Sequence, residues 1–229
     1  MALELTGISS MATRRLLEAS LRLWHERGGA RTTIRSIGGV NAFKEVDAGN
    51  SPVDLVFLAS GSLEQLEAHG RLVAGSIVDI VKSKVAVAVP KGHAHPPLAN
   101  AEDVRTAVLA AEGVAYSTGP SGVAMLELFG RWGIRAQLKG RLIQAKPGVP
   151  VGSLVAGGKA SLGFQQRSEL IHVEGVEIAG LLPPDIEIIT TFCGAVGANS
   201  ARAKDAAGLL AFLGSEQIAS VRRAEGFEA

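Results

Sequence analysis

The sequence predicts an α/β protein of two lobes. Strand-like and helix-like segments alternate along the chain, which argues for a largely parallel sheet. Residues 53–59 (VDLVFLA) form an unbroken apolar run, as in a parallel strand covered on both faces. At Lys84 the texture changes and a second alternating series begins. A chain of 229 residues, 47% hydrophobic and 20% charged, can bury a sizeable core. Aromatic residues make up only 4%, so Ala, Val, Leu and Ile must fill that core. Glycine, at 28 residues, well exceeds the usual ~7% and signals many tight turns or close backbone approaches.

Taken in order, residues 3–8 read as a strand, followed by Ser9-Ser10 and a helix over 11–27 with Leu16, Leu17, Leu21 and Trp24 on one face. A β-branched strand at 32–37 precedes Gly38-Gly39 and a helix to Asp47; the strand at 53–59 precedes a helix at 63–69. The second series opens with a strand at 84–90 and a His/Pro-rich surface loop at 91–100. It continues with helix 101–111, strand 113–117, helix 123–132, strand 138–144, helix 151–157, strand 160–165 and helix 168–172. A long strand at 187–193 and closing helices at 201–216 and 218–223 complete the chain.

Composition excludes several classes. A formal net charge of +1 gives no basic footprint for nucleic acid or an anionic membrane surface. No segment reaches the ~20 apolar residues of a membrane span. One cysteine, Cys193, excludes an internal disulfide framework. The first ten residues (MALELTGISS) carry a carboxylate at Glu4 where a secretory signal needs a basic start and an apolar run. As written, the chain is expected to be cytoplasmic; a periplasmic location follows if a leader was removed.

Small polar residues fall at one recurrent place. Ser9-Ser10, Gly38-Gly39, Ala59-Ser60, Ser117 with 118–122 (TGPSG) and Gly148-Val149 each sit between a strand's C-terminal end and a helix start. In an open α/β sheet these strand ends form one rim, outside which ligands bind. Free N–H groups and the positive helix end favour an anion there. Each turn alone could be simple capping; five, split between two halves, argue for a site.

Gly7-Ile8-Ser9-Ser10, Asp54-Leu55-Val56 before Ala59-Ser60, the strand at 85–90, and Tyr116-Ser117-Thr118-Gly119-Pro120-Ser121-Gly122 resemble the periplasmic molybdate-binding proteins, members of the type II solute-binding superfamily. The resemblance implies two lobes, 1–83 with 192–229 and 84–191, joined by two crossing strands near 82–86 and 189–193, with a ligand cleft between them. It also implies an oxyanion held by hydroxyls and backbone N–H groups, with Ser10, Ser60 and the 147–151 turn matching the family's positions. The partner would then be a small anion, joined by a transporter permease if the chain serves transport.

The chain departs from that pattern at Gly163-Phe164-Gln165-Gln166, where the molybdate binders place a tyrosine. Arg14-Arg15 behind the serines and Arg35 at the second strand end suit carboxylates better than tetrahedral oxyanions. These features are similar to the bacterial aconitate isomerases, which keep the binding-protein fold and move a double bond in a tricarboxylate; residues 116–122, 148–153 and 164–169 carry the likeness. Such a 1,3-shift removes a proton from one carbon and returns one two carbons away, which calls for carboxylate donors and a base but neither metal nor redox cofactor. Glu169, Tyr116 and Lys44 are the candidate bases. Each has a plainer reading as well: a first-turn helix carboxylate, a packed strand aromatic and a solvated helix residue. Ser9, Ser10, Arg14, Gly38, Gly39, Ala59, Ser60, Ser117, Thr118, Ser121, Gly122, Gly148, Val149 and Gln165 are the candidate ligand contacts.

Other motifs carry less. His93 and His95 have ligand-like spacing but no carboxylate or cysteine partner in their loop. Gly119-Pro120-Ser121-Gly122 breaks the G-x-S-x-G elbow at Val123, and no Walker lysine follows a glycine loop. An isomerase of an unsaturated polycarboxylate is the leading expectation. A transporter-associated binding protein for molybdate, another oxyanion or an organic acid is the alternative, and a cytosolic sensor or carrier the third.

Overall fold

The computed structural model describes residues 4–49 and 52–228. In chain order the elements are β1 (Glu4–Ser10), α1 (Arg14–Glu26), β2 (Arg31–Ile37), α2 (Gly39–Asp47), β3 (Leu55–Ala59), α3 (Ser60–Ala68) and β4 (Val78–Pro90). There follow α4 (Ala101–Ala110), β5 (Val114–Tyr116), α5 (Pro120–Arg131), β6 (Leu142–Gln144), α6 (Val151–Ala156), β7 (Leu162–Gln166) and α7 (Arg167–Leu170). β8 (Val176–Leu181), β9 (Ile189–Val196), α8 (Ala203–Leu213) and α9 (Ala219–Ala224) close the chain. Strands and helices alternate along most of the chain, as in an α/β protein.

The chain divides into two compact units, Met1–Lys82 with Thr191–Ala229, and Ser83–Thr190. The long strands β4 and β9 each contribute residues to both. In the first unit the strands run in the order β2-β1-β3-β9, with β1 parallel to β2 and β3, and β9 antiparallel to β3. Leu55 and Phe57 pack with Leu16, Leu17 and Leu209 on one face; Val56 and Leu58 pack with Val46, Leu63 and Leu66 on the other. Alternation across the sheet thus explains why residues 55–58 are apolar without a break.

The second unit orders its strands β4-β7-β5-β6, with β8 on β4. β5 is parallel to β6 and β7, while β4 runs antiparallel to β7 and β8. Val85, Val87 and Val89 face a core that contains Val104, Met125, Phe129 and Phe164; Ala86 and Ala88 face Leu170 on the other side. Both sheets are therefore mixed, not largely parallel as expected, because β4 and β9 run against their neighbours. β8 is absent from the expected elements: its six residues are all half-buried, so it has neither the apolar run nor the strict alternation of a strand. The strand expected at 138–144 shrinks to β6, since Gly140 adopts φ +83° and ends a turn there. β1 extends through Ser10 instead of ending at Ile8; its expected first residue, Leu3, lies outside the described residues.

Two buried contacts pin the strand ends. A Cβ at Gly122 would lie 1.8 Å from the Ser117 carbonyl oxygen, so only glycine lets α5 start this close to β5. In the first unit, buried Asp54 accepts hydrogen bonds from the Thr6 N–H (2.9 Å) and the Ser200 hydroxyl (2.6 Å), with Arg202 3.6 Å away. Burial by itself would raise the Asp54 carboxyl, but the hydrogen bonds from Ser200 and Thr6 and the Arg202 charge outweigh it and hold it below its ordinary 3.8. A lowered value means the stabilisation is present above that ordinary value and is lost as pH falls through the folded one. Asp54→Asn should cost roughly 1–3 kcal/mol at pH 7 in urea denaturation. The difference from wild type should shrink below pH 4; a constant difference down to pH 2 would contradict this account.

Candidate functional site

In the first unit β1, β2 and β3 are parallel, so Ser10, Ile37 and Ala59 end on the same edge of the sheet. Gly39, the first residue of α2, lies against Ser10: a Cβ there would meet the Ser10 Cβ at 3.4 Å. Neither α2 nor α3 receives a side-chain N-cap from Gly38 or Ala59, and neither has an acidic residue in its first turn. α4 is the contrast, with Asn100 accepting from the Glu102 and Asp103 N–H groups and both acids in the first turn. The rim helices therefore keep an undamped positive end.

Ser9 and Ser10 differ sharply. The Ser9 hydroxyl bonds Ser36 at 2.7 Å, so it ties β1 to β2 and is spent inside the sheet. Ser10 precedes the 3-10 turn Met11–Thr13 yet caps nothing, and its buried Oγ has no hydrogen-bond partner. Ser60 is half-buried at the start of α3. Arg14 lies 3.9 Å from Glu18 on its own helix and Arg35 pairs with Glu45, while Arg15 is exposed. Lys44 is exposed in the last turn of α2, a full turn beyond the rim.

In the second unit Tyr116, Gln144 and Phe164 are aligned across β6-β5-β7, so the turns after them share one edge. Ser117 and Ser121 are buried and bond each other at 3.0 Å, with Thr118 half-buried beside them. α5, like α2 and α3, has no side-chain cap and no acid in its first turn. Gly148 takes φ +81°, which shapes the turn before α6. The 148–151 turn offers fewer free donors than expected: the Val149 N–H donates to the Lys146 carbonyl and the Val151 N–H to Gln165 Oε1 at 2.7 Å.

That last bond orients the Gln165 side chain. A backbone N–H can only donate, so the amide oxygen must face Val151, and the NH2 end donates to Glu169. Glu169 keeps a little exposed surface at the start of α7 while its carboxyl is desolvated. Burial pushes that carboxyl up to about 7, against the opposing pull of the Gln165 hydrogen bond. A carboxyl poised there can both take and give a proton near neutral pH. Tyr116 is half-buried, at the end of β5.

Cys193 is buried and donates to Asp79 Oδ1 at 3.0 Å; burial and the Asp79 charge push its thiol up to about 12, far from a nucleophile's range. His95 bonds Glu177 at the surface, and among the described residues no cluster of His, Cys, Asp or Glu could hold a metal. No helix among them is long and apolar enough to cross a membrane. The sequence reading missed Ser36, which consumes Ser9, and Gln166, a second amide in an otherwise apolar buried strand.

A curated aconitate isomerase from Pseudomonas sp. is 36% identical over 184 residues, which cover 79% of this chain and 69% of that protein. The Azotobacter vinelandii periplasmic molybdate-binding protein superposes with TM-score 0.78 at 19% identity, over 98% of this chain and 99% of that one. The substrate-binding domain of a molybdenum ABC transporter from Clostridium difficile, described as putative, superposes with TM-score 0.74 at 17% identity, over 98% of each chain. The model of one family, described as bacterial extracellular solute-binding protein, matches residues 5–228. Nearly the whole chain is matched, and it belongs to the bacterial extracellular solute-binding protein family.

Proposed function

We propose that this chain binds a small, oxygen-rich anion through its strand-end turns and isomerises an unsaturated tricarboxylate of the aconitate type. The observation that carries the catalytic half is the Glu169 carboxyl on the rim, raised to about 7 by burial and oriented by the Val151–Gln165 hydrogen bond behind it. The 36% identity to an aconitate isomerase supports the same reading.

In this mechanism Glu169 takes a proton from the allylic CH2. The electron pair moves through the double bond as a dienolate onto the adjoining carboxylate. A proton then returns at the former vinyl carbon, so one C–H bond breaks, one forms and the double bond moves by one position. Uncapped N–H groups at the start of α5, in the same unit as Glu169, stabilise the carboxylate on which charge develops. Tyr116 is the second acid–base candidate; Lys44, exposed beyond the rim, takes no part. The likeness to molybdate-binding proteins favours a second reading, a binding protein of a transporter working in the periplasm.

Purified protein should interconvert cis- and trans-aconitate, followed by proton NMR. Glu169→Gln should lower kcat by about 10²–10⁴ with KM changed little. The wild-type rate should rise with pH to a plateau above about 7, the value for Glu169. Tight molybdate binding without any interconversion would favour the transport reading.

Stability gives a separate check. Glu169 lies above its ordinary 4.5, so the folded state prefers the protonated form and stability falls as pH rises from 4.5 through about 7. Glu169→Gln should flatten that slope in urea denaturation across pH 4–8, an effect of at most about 3 kcal/mol. An unchanged slope would show that the carboxyl is not desolvated.

A further inference from the structure

We propose that Arg167 anchors one carboxylate of the bound anion and so sets the ligand beside Glu169 at the strand edge of the second unit. The proposal rests on the reading that the chain binds a polycarboxylate. It does not rely on the isomerase step.

Strand direction places Arg167 there. β7 runs parallel to β5, so the residue after Gln166 stands on the same edge as the turn that follows Tyr116. Ligands of open α/β sheets bind outside that edge. Gln166 is still extended, with φ −53° and ψ 135°, and Arg167 therefore leaves the strand on the face of Gln165. Gln165 is the side chain that bonds both the start of α6 and Glu169. Both Arg167 and Glu169 keep some exposed surface, so a ligand reaches them without opening the core.

What sets Arg167 apart is that its charge is unpaired. The half-buried cations of this unit are Lys84, Arg105, Arg141 and Arg167. Lys84 pairs with Glu187 at 2.6 Å and Arg105 with Glu102 at 2.9 Å. The Arg141 guanidinium donates to the Leu109, Ala111 and Gln137 carbonyls. The Arg167 side chain has no hydrogen bond or ion pair among the described residues. Its own helix offers none, because Leu170 and Ile171 stand three and four residues on. Glu169, two residues on, is held by Gln165 instead.

A half-buried charge without a counter-charge loses hydration with no compensating contact. A ligand carboxylate supplies the missing contact, and the guanidinium fork meets its two oxygens with two parallel hydrogen bonds. Helix geometry sets the Cα atoms of Arg167 and Glu169 about 5 Å apart. A small polycarboxylate gripped by Arg167 therefore has its carbon chain within reach of Glu169.

Titration calorimetry with trans-aconitate and citrate tests this, with thermal denaturation of each variant as the check on folding. Arg167→Met keeps the apolar stem and removes the fork. It should melt close to wild type and bind trans-aconitate about ten- to a hundredfold more weakly. Arg167→Lys keeps the charge without the fork and should fall between the two. Arg131→Met removes an equal charge at the far end of α5, about 16 Å from the rim, and should leave affinity within about twofold. If the protein interconverts the aconitates, the Arg167→Met loss should appear in KM, with kcat changed less than about fivefold. Wild-type affinity in Arg167→Met would overturn the proposal and leave the anion-binding reading standing. An equal loss in Arg131→Met would also overturn it, since net charge alone would then be acting. Should Arg167→Met melt early, Arg167→Lys decides, and wild-type affinity there overturns the fork. A wild type that binds neither trans-aconitate nor citrate removes the reading and the proposal together. If wild type binds trans-aconitate without interconverting it and Arg167→Met binds it more weakly, the isomerase reading fails and the anchor stands.

Discussion

The hydrogen bond from the Val151 N–H to Gln165 Oε1 decides what the rim of the second unit can do. It consumes the first amide of α6 and so withholds that donor from any ligand. In the same stroke it turns the other end of Gln165 toward Glu169. Without that fixed amide the side chain could present either end, and an oxygen facing the carboxylate would repel it. One short contact thus converts a helix start into a support for an ionisable group.

The strand-end rims of the two units differ in the groups they offer. The first unit offers donors and little else: uncapped α2 and α3, with a free hydroxyl at Ser10. Arg14 and Arg35 face Glu18 and Glu45, so the unengaged polar groups at this strand edge are neutral donors. The second unit spends more of its polar groups on itself, in Ser117–Ser121 and Val151–Gln165, and keeps its ionisable group enclosed. Such an arrangement suits a reaction in which charge only moves within a bound anion, because no new charge must be brought in from water.

Much of the architecture was legible in the sequence, and the reasons are specific. The unbroken apolar run at 55–58 and the serine- and glycine-rich turns announce buried parallel strands with rims, since both follow from short-range rules. β8 was invisible because half-burial along its length leaves no periodic signal. The mixed character of both sheets was invisible for another reason: strand direction depends on which distant strand β4 and β9 join. At the rim, Ser9 and Ser10 look alike in sequence, and only the register that sets Ser9 against Ser36 separates the spent hydroxyl from the free one. Arg14 and Arg35 looked available because their partners Glu18 and Glu45 are chosen by helix spacing and by packing of α2 on the sheet.

The central claim is that Glu169 is a carboxyl held near neutrality beside a bound anion. Carbon-13 NMR of the glutamate side-chain carboxyls, with Glu169→Gln used to identify the resonance, tests it directly. The account predicts a midpoint near 7 that moves upward when trans-aconitate is added, because a neighbouring negative charge disfavours ionisation. A midpoint near the ordinary 4.5, indifferent to trans-aconitate, would contradict it.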